Sequence, residues 1–311
     1  MSLSRLVAVP RRRLENRIRR LVGLPQRRKH AYIEFFISRG NAVNLYLSDV
    51  HQNRNEATAH MLLEAVKTTK YKLRQDKRLI ICTDDRPPED SEPMMCYAPR
   101  PDMRNRITIP DFTFWDWPDV GIDDYPSLTA AMVEAGKEPP QDDRLFWIGN
   151  PKMHENRQRL VDIAADDPRM LATGITWVKA DRPENHTAGT LMGTRDANYV
   201  SLPDHCRHKY LIDVEGYGYS ARLRILLFSG RPVFIQERPW REFFHDWLEP
   251  FVHFIPVRRD LSDLSAQLEW AEGHPEECRE IAANAQAFAQ RHLTREAAIA
   301  YLREVIDREL A

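Results

Sequence analysis

The stretch KYLIDVEGYGYSARLRILLFSG, residues 209–230, holds residue types that can bind a phosphate. Gly216 and Gly218 follow an apolar run, and glycine tolerates backbone conformations that other residues resist. Ser220 is placed to cap a helix that starts there. The free N–H groups of such a first turn attract an anion. Arg222, in the same turn, can pair with a diphosphate through a fork of two hydrogen bonds. An ordinary capped helix with surface arginines has the same spacing, and a lone glycine turn is a weak signal. A second group is acidic: the apolar run RLIICT, residues 78–83, ends at Asp84-Asp85-Arg86-Pro87. A carboxylate at the end of a buried strand can accept a proton from a hydroxyl, and two together can hold a divalent cation. A solvated acidic loop has that composition too. The segment IPDFTFWDWP, residues 109–118, offers Phe112, Phe114, Trp115 and Trp117, flat faces that can stack on a ligand or anchor a packed loop. His205-Cys206-x-His208 is a poor zinc site, because no partner cluster accompanies it.

These residues need elements to position them. Residues 30–37 and 41–47 read as a β-hairpin, and residues 55–73 as a long helix. Residues 78–83 have the pattern of a buried parallel strand, and residues 94–98 form another short strand. A helix over 127–135 is followed by GKEPPQDD, residues 136–143, where the prolines mark a boundary between two halves. The second half predicts strands at 144–148, 210–214, 232–236 and 251–257. Helices are expected at 155–165, 220–229, 240–248, 263–272, 275–292 and 295–310. Such alternation implies an α/β fold whose ligands sit beyond the carboxyl ends of the strands. The division is a basic segment over 1–30, a half over 31–141, and a half over 142–294. The last helix, 295–311, is free to pack back on the first half.

At 311 residues the chain suits two α/β halves, and 42% hydrophobic with 29% charged residues is a globular composition. The net charge of −1 gives no reason to expect nucleic acid as a partner. The basic charge is concentrated at Arg11-Arg12-Arg13, Arg17, Arg19-Arg20 and Arg27-Arg28-Lys29. Leu14, Ile18, Leu21 and Val22 recur between them at helical spacing, as in a helix lying on an anionic membrane surface. A solvated tail accounts for the same residues equally well. No apolar run is long enough to cross a bilayer, and the N-terminus lacks the apolar core of a secretory signal. The four cysteines are scattered, as reduced thiols in a cytoplasmic protein would be.

The ordered set Asp-His-Cys, Lys-Tyr-Leu, glycine turn, Ser-x-Arg, Trp-x-x-Phe-Phe, Leu-x-Pro, Val-His-x-Ile-Pro-Val and Asp-Leu-Ser lies between residues 204 and 262. It resembles glycosyltransferase family 90, the capsule-associated-protein group that includes lipopolysaccharide-modifying enzymes and protein O-glucosyltransferases. IPDFTFWDWP and LFWIGN extend the likeness to roughly residues 80–295. The resemblance implies a GT-B-like fold, with two Rossmann-like domains facing a central cleft. It implies a UDP-sugar co-substrate, no resident cofactor, and transfer with inversion and without a metal. Asp85 takes the position of the base, with Asp84 one residue away. Ser220 and Arg222 match the diphosphate-contacting pair. Gly149 and Arg157 match further donor contacts, Ile148 stands where some relatives have arginine with Asn150 as its partial replacement, and Gly218 and Tyr219 would lie near the nucleotide. Trp115 and Trp117 would face the acceptor, a cell-envelope glycan or lipid-linked saccharide. Two other readings remain: a non-catalytic sugar-nucleotide or glycan-binding relative at the membrane, and a metal-dependent GT-A-type transferase using Asp84 and Asp85.

Overall fold

The computed structural model describes residues 31–39, 42–48, 50–67, 72–89, 92–118, 121–175 and 198–311. The basic segment, with its membrane reading, lies outside them.

The first sheet is built from β1 (Tyr32–Ile37), β2 (Val43–Leu47), β3 (Lys77–Cys82), β4 (Met94–Cys96) and β5 (Arg106–Thr108), in the order β2-β1-β3-β4-β5. β1 runs antiparallel to both β2 and β3, while β3, β4 and β5 are parallel. The expected hairpin is therefore present. The expected Rossmann-like repeat is not: among the described residues no helix crosses between β3, β4 and β5. Helix α1 (Gln52–Val66) instead joins β2 to β3 and buries Ala57, Met61, Leu62 and Ala65. It stops short of the expected residue 73. Helix α2 (Tyr125–Lys137) is capped by Asp124, whose carboxylate accepts from the Ser127 amide at 2.9 Å.

The second sheet contains β6 (Asp142–Gly149), β7 (Met170–Gly174), β8 (His208–Asp213), β9 (Val233–Gln236) and β10 (Ile255–Val257). All are parallel, in the order β10-β9-β8-β6-β7. Helix α3 (Glu155–Asp166) joins β6 to β7. Because β7 lies on one side of β6 and β8 on the other, the winding reverses between β6 and β8. Ligands of open parallel sheets sit at that reversal, past the carboxyl ends of the strands.

Successive side chains on β6 alternate between two apolar clusters. Leu145 and Trp147 face the cluster under helices α5 (Leu264–Gly273) and α6 (Pro275–His292). Phe146 and Ile148 face a larger cluster that continues through Phe112, Phe114 and Tyr97 into the first sheet. That shared core ties the two sheets together. Helix α7 (Arg295–Leu310) contributes Leu302, Val305 and Ile306 to it and lies against α1. Its first residue, Arg295, donates to the Phe114 carbonyl at 3.0 Å and pairs with Asp124 at 2.9 Å.

Two expected helices shrink. The segment over 220–229 is α-helical only in α4 (Leu223–Leu226), and Gly230 ends it in a left-handed conformation, φ +63°. The segment over 240–248 keeps a single 3-10 turn at His245–Trp247. Its neighbouring Phe243 and Phe244 are both buried. Likewise the strand expected over 251–257 is confined to β10. β5 and β7 are short strands that the sequence did not announce. No helix among the described residues is long and apolar enough to cross a membrane.

Candidate active site

Asp85 follows β3 by three residues, where the strand opens into a loop. Its Oδ1 accepts a 2.7 Å hydrogen bond from Arg54 Nη1, in the first turn of α1, and the carboxylate is 33% exposed. Arg54 lies over the rings of Phe112 and Trp117, at 5.2 and 5.6 Å. Burial works against the Arg54 charge, but Asp85, Tyr219 and Tyr97 together hold the guanidinium above its ordinary range. Asp84 is committed elsewhere: its Oδ2 accepts from the Ala31 amide at 3.2 Å, and its Oδ1 is 3.4 Å from His51 Nε2. The neighbours thus have different surroundings, and Asp85 is the one bonded to Arg54.

The glycine turn after β8 meets the Asp85 loop directly. A Cβ at Gly218 would come within 2.3 Å of the Asp85 carbonyl oxygen, and one at Gly216 within 3.0 Å of Arg157 Nη2. Neither glycine has a positive φ. Close approach requires them, not the backbone freedom expected from the sequence. Tyr217 stacks on Arg86 at 4.0 Å. Tyr219 points towards the first sheet, edge-on to Tyr97 at 6.3 Å, and is buried.

Ser220 is not a helix cap. α4 begins three residues later with no side-chain cap, and Ser220 Oγ donates instead to Asp213 Oδ1 at 2.7 Å. A single helical turn supplies no useful dipole, so the helix N-terminus drops out of the phosphate argument. What stands there is a cluster of arginines at the winding reversal between β6 and β8. Arg157, at the start of α3, donates through Nε to the Glu215 carbonyl at 2.9 Å. Arg222 donates through Nη1 to the Ile148 carbonyl and has its Nε 3.9 Å from Asp213. Arg238 pairs with Asp213 at 2.6 Å. Burial lowers the Arg157 pKa to about 10, with the Arg222 charge adding to the effect, and burial also lowers that of Arg222. Buried, mutually repelling cations of this kind are stabilised by an anion.

Both Arg157 and Arg222 lie over the Trp147 ring, at 5.7 and 5.9 Å. Gly149 makes room for that ring: a Cβ there would come within 2.7 Å of it. The Asn150 carboxamide oxygen caps the Lys152 amide at 3.0 Å. Trp115 stacks on His60 at 5.1 Å, and the guanidinium of Arg295, from α7, lies over the Trp115 ring at 4.8 Å. Trp117 lies beside Arg54, and so closer to Asp85 along the chain of contacts. His205 is buried against Phe146, and burial pushes its pKa well below the ordinary value. His208 stacks on the same ring at 4.0 Å. Both histidines are therefore packing residues.

The model described as Glycosyl transferase family 90 matches residues 26–308. The chain belongs to glycosyl transferase family 90. Among curated proteins it is similar to protein O-glucosyltransferase 2 of Danio rerio, 33% identical over 163 residues that cover 52% of this chain and 31% of that protein. It is also similar to protein O-glucosyltransferase 1 of Rattus norvegicus and of Homo sapiens. Each is 25% identical over 255 residues, covering 78% of this chain and 62% of theirs. The chain thus spans less than two thirds of the length of these relatives. Among solved structures it is similar to Anabaena HepE in complex with UDP-glucose, with a TM-score of 0.35 and 13% identity over 62% of this chain and 47% of that one. Sucrose-phosphate synthase from Thermosynechococcus elongatus gives 0.33 and 15%, over 70% and 46%.

In this family 90 chain, Arg54, Asp213, Glu215 and Arg238 join the residues singled out from sequence. Asp213 stood in the glycine-turn stretch at the end of an apolar run, which is a readable signal. Arg54 and Arg238 carried none, because their partners are distant in sequence: Arg54 and Asp85 are 31 residues apart, Arg238 and Asp213 25.

Proposed function

We propose that the protein transfers a hexose or pentose from a UDP-sugar to a hydroxyl of a cell-envelope glycan or lipid-linked saccharide, with inversion and without a metal ion. The GT-B-like reading goes with it: the donor lies on the second sheet, and the acceptor enters a cleft beside the first. The observation that carries the proposal is the direct contact of the glycine turn with the Asp85 loop. It sets one carboxylate beside an arginine cluster at a strand-end reversal.

Asp85 accepts the proton of the acceptor hydroxyl as its oxygen attacks the anomeric carbon. The bond from that carbon to the phosphate oxygen breaks, and its electron pair leaves with UDP. A general base of this kind contributes about 10²–10⁴-fold in rate. Attack opposite to the leaving group inverts the anomeric centre. Arg157 and Arg222 hold the diphosphate, and the two guanidiniums offset the charge that grows on it. Ser220, expected to join them, donates its hydroxyl to Asp213 and anchors the turn to the end of β8. Gly149 acts through Trp147, whose ring supports both arginines. Asn150 lines the donor side, Tyr219 packs towards the first sheet instead, and Trp117, with Trp115 behind it, lines the acceptor side. Asp84 serves the start of β1 through the Ala31 amide and Asp85 is bonded to a guanidinium, an arrangement that favours a base over a pair of metal-holding carboxylates. The enzyme would act in the cytoplasm, with residues 1–30 touching an anionic membrane.

The test is donor turnover: UDP release from a panel of UDP-sugars by wild type and by Asp85→Asn. Release that Asp85→Asn abolishes supports the proposal. Release that survives the substitution, or binding without turnover for every donor, contradicts it.

A further inference from the structure

Asp85 sits on a loop, and a loop carboxylate one-third exposed has several rotamers open to it. A base must present one oxygen to the acceptor in a narrow geometry. The structure shows what selects that geometry. Arg54 lies on a helix, is 15% exposed, and reaches Oδ1 of Asp85 at 2.7 Å. Phe112 and Trp117 carry its guanidinium over their faces. Its main-chain carbonyl accepts from Thr58 Oγ1 at 2.8 Å, and that hydroxyl shares a 2.6 Å hydrogen bond with the buried Tyr97 hydroxyl. From the other sheet, Gly218 closes on the Asp85 carbonyl.

We infer that Arg54 is a positioning residue for the base. It fixes Oδ1 of Asp85, so that Oδ2 is the oxygen turned to the acceptor hydroxyl. The stack on Phe112 and Trp117 keeps the guanidinium from following the carboxylate when an acceptor arrives. Trp117 therefore borders the acceptor and braces Arg54 at the same time. The inference rests on Asp85 being the base, and its test keeps the two claims apart.

The measurement is a double-mutant cycle on UDP release from the best UDP-sugar of the panel, with UDP affinity measured by calorimetry for each variant. Arg54→Met should lower kcat by about 10–100-fold, the cost of a displaced catalytic group, and leave the Kd for UDP within about threefold. Arg54→Lys should recover part of the loss, since a cation returns without the fork. In the Asp85→Asn background, Arg54→Met should cost less than about threefold, because residues that act as one unit are not additive. Equal losses from Arg54→Met in both backgrounds, or a matching loss of UDP affinity, overturn the positioning role while leaving the base assignment standing. Full turnover by Asp85→Asn overturns both, as does absence of turnover by the wild type.

Discussion

Beside the first sheet one carboxylate, Asp85, meets one guanidinium, Arg54, at 2.7 Å, and both stay partly open to solvent. Beyond the second sheet Arg157, Arg222 and Arg238 gather around Asp213, which is fully buried. The first arrangement is balanced, one acid against one base. The second has more cations than anions and pays for them by burial, visible in the lowered pKa values of Arg157 and Arg222. In the proposed reaction, proton transfer and phosphate binding fall to different sheets, joined by a glycine turn that touches both.

The sharpest break in this comparison comes from Asp85→Asn, which should lower turnover about 10²–10⁴-fold while leaving UDP affinity near wild type. UDP release and calorimetry on the same preparation separate the two. Arg222→Met should act the other way round. UDP affinity should fall roughly tenfold or more, the loss of one charge-assisted pairing. The melting temperature without ligand should hold or rise, because a buried cation is removed; thermal shift with and without UDP reads both. Gly218→Ala forces the turn away from Asp85 and should cost roughly tenfold in turnover with little loss of UDP affinity.

The buried contact between the two halves predicts a smaller effect. Arg224 bridges Asp111 at 2.7 Å and Glu242 at 2.9 Å, all of them inaccessible to solvent. Burial pushes the Glu242 pKa up to about 8, although Arg224 pulls it back. Its folded value then exceeds the unfolded value of roughly 4.3. The folded state holds a proton that the unfolded state releases, so stability falls as pH rises from about 4.3 to about 8. The melting temperature should drop by several degrees across that window, and Glu242→Gln should flatten the dependence. Chelation should have the least effect of all, leaving turnover unchanged.

Much of this was readable from sequence wherever one local pattern sufficed. The hairpin, β6, β8, β9 and helices α3, α5, α6 and α7 follow from periodicity and from turn residues. Arg222 stood in the glycine-turn stretch and Asp85 at the end of an apolar run, while only the family resemblance singles out Arg157, and Asp85 as the base. One miss is local: Ser220 has the composition of a cap, but Asp213, seven residues back, draws its hydroxyl away. The others depended on a partner distant in sequence. Gly216 and Gly218 look like conformational glycines and are instead demanded by Arg157 and Asp85. The 240–248 segment has helical composition, yet it is bent to place Phe243 against Tyr301 of α7 at 4.6 Å. No local window contains those neighbours.

A crystal structure with UDP bound tests the central claim most directly. The account predicts diphosphate oxygens within hydrogen-bonding distance of the Arg157 and Arg222 side chains, at the ends of β6 and β8. It predicts Asp85 on the open side of the β-phosphate. A nucleotide seated elsewhere, with those arginines still bonded to the Glu215 and Ile148 carbonyls alone, contradicts it.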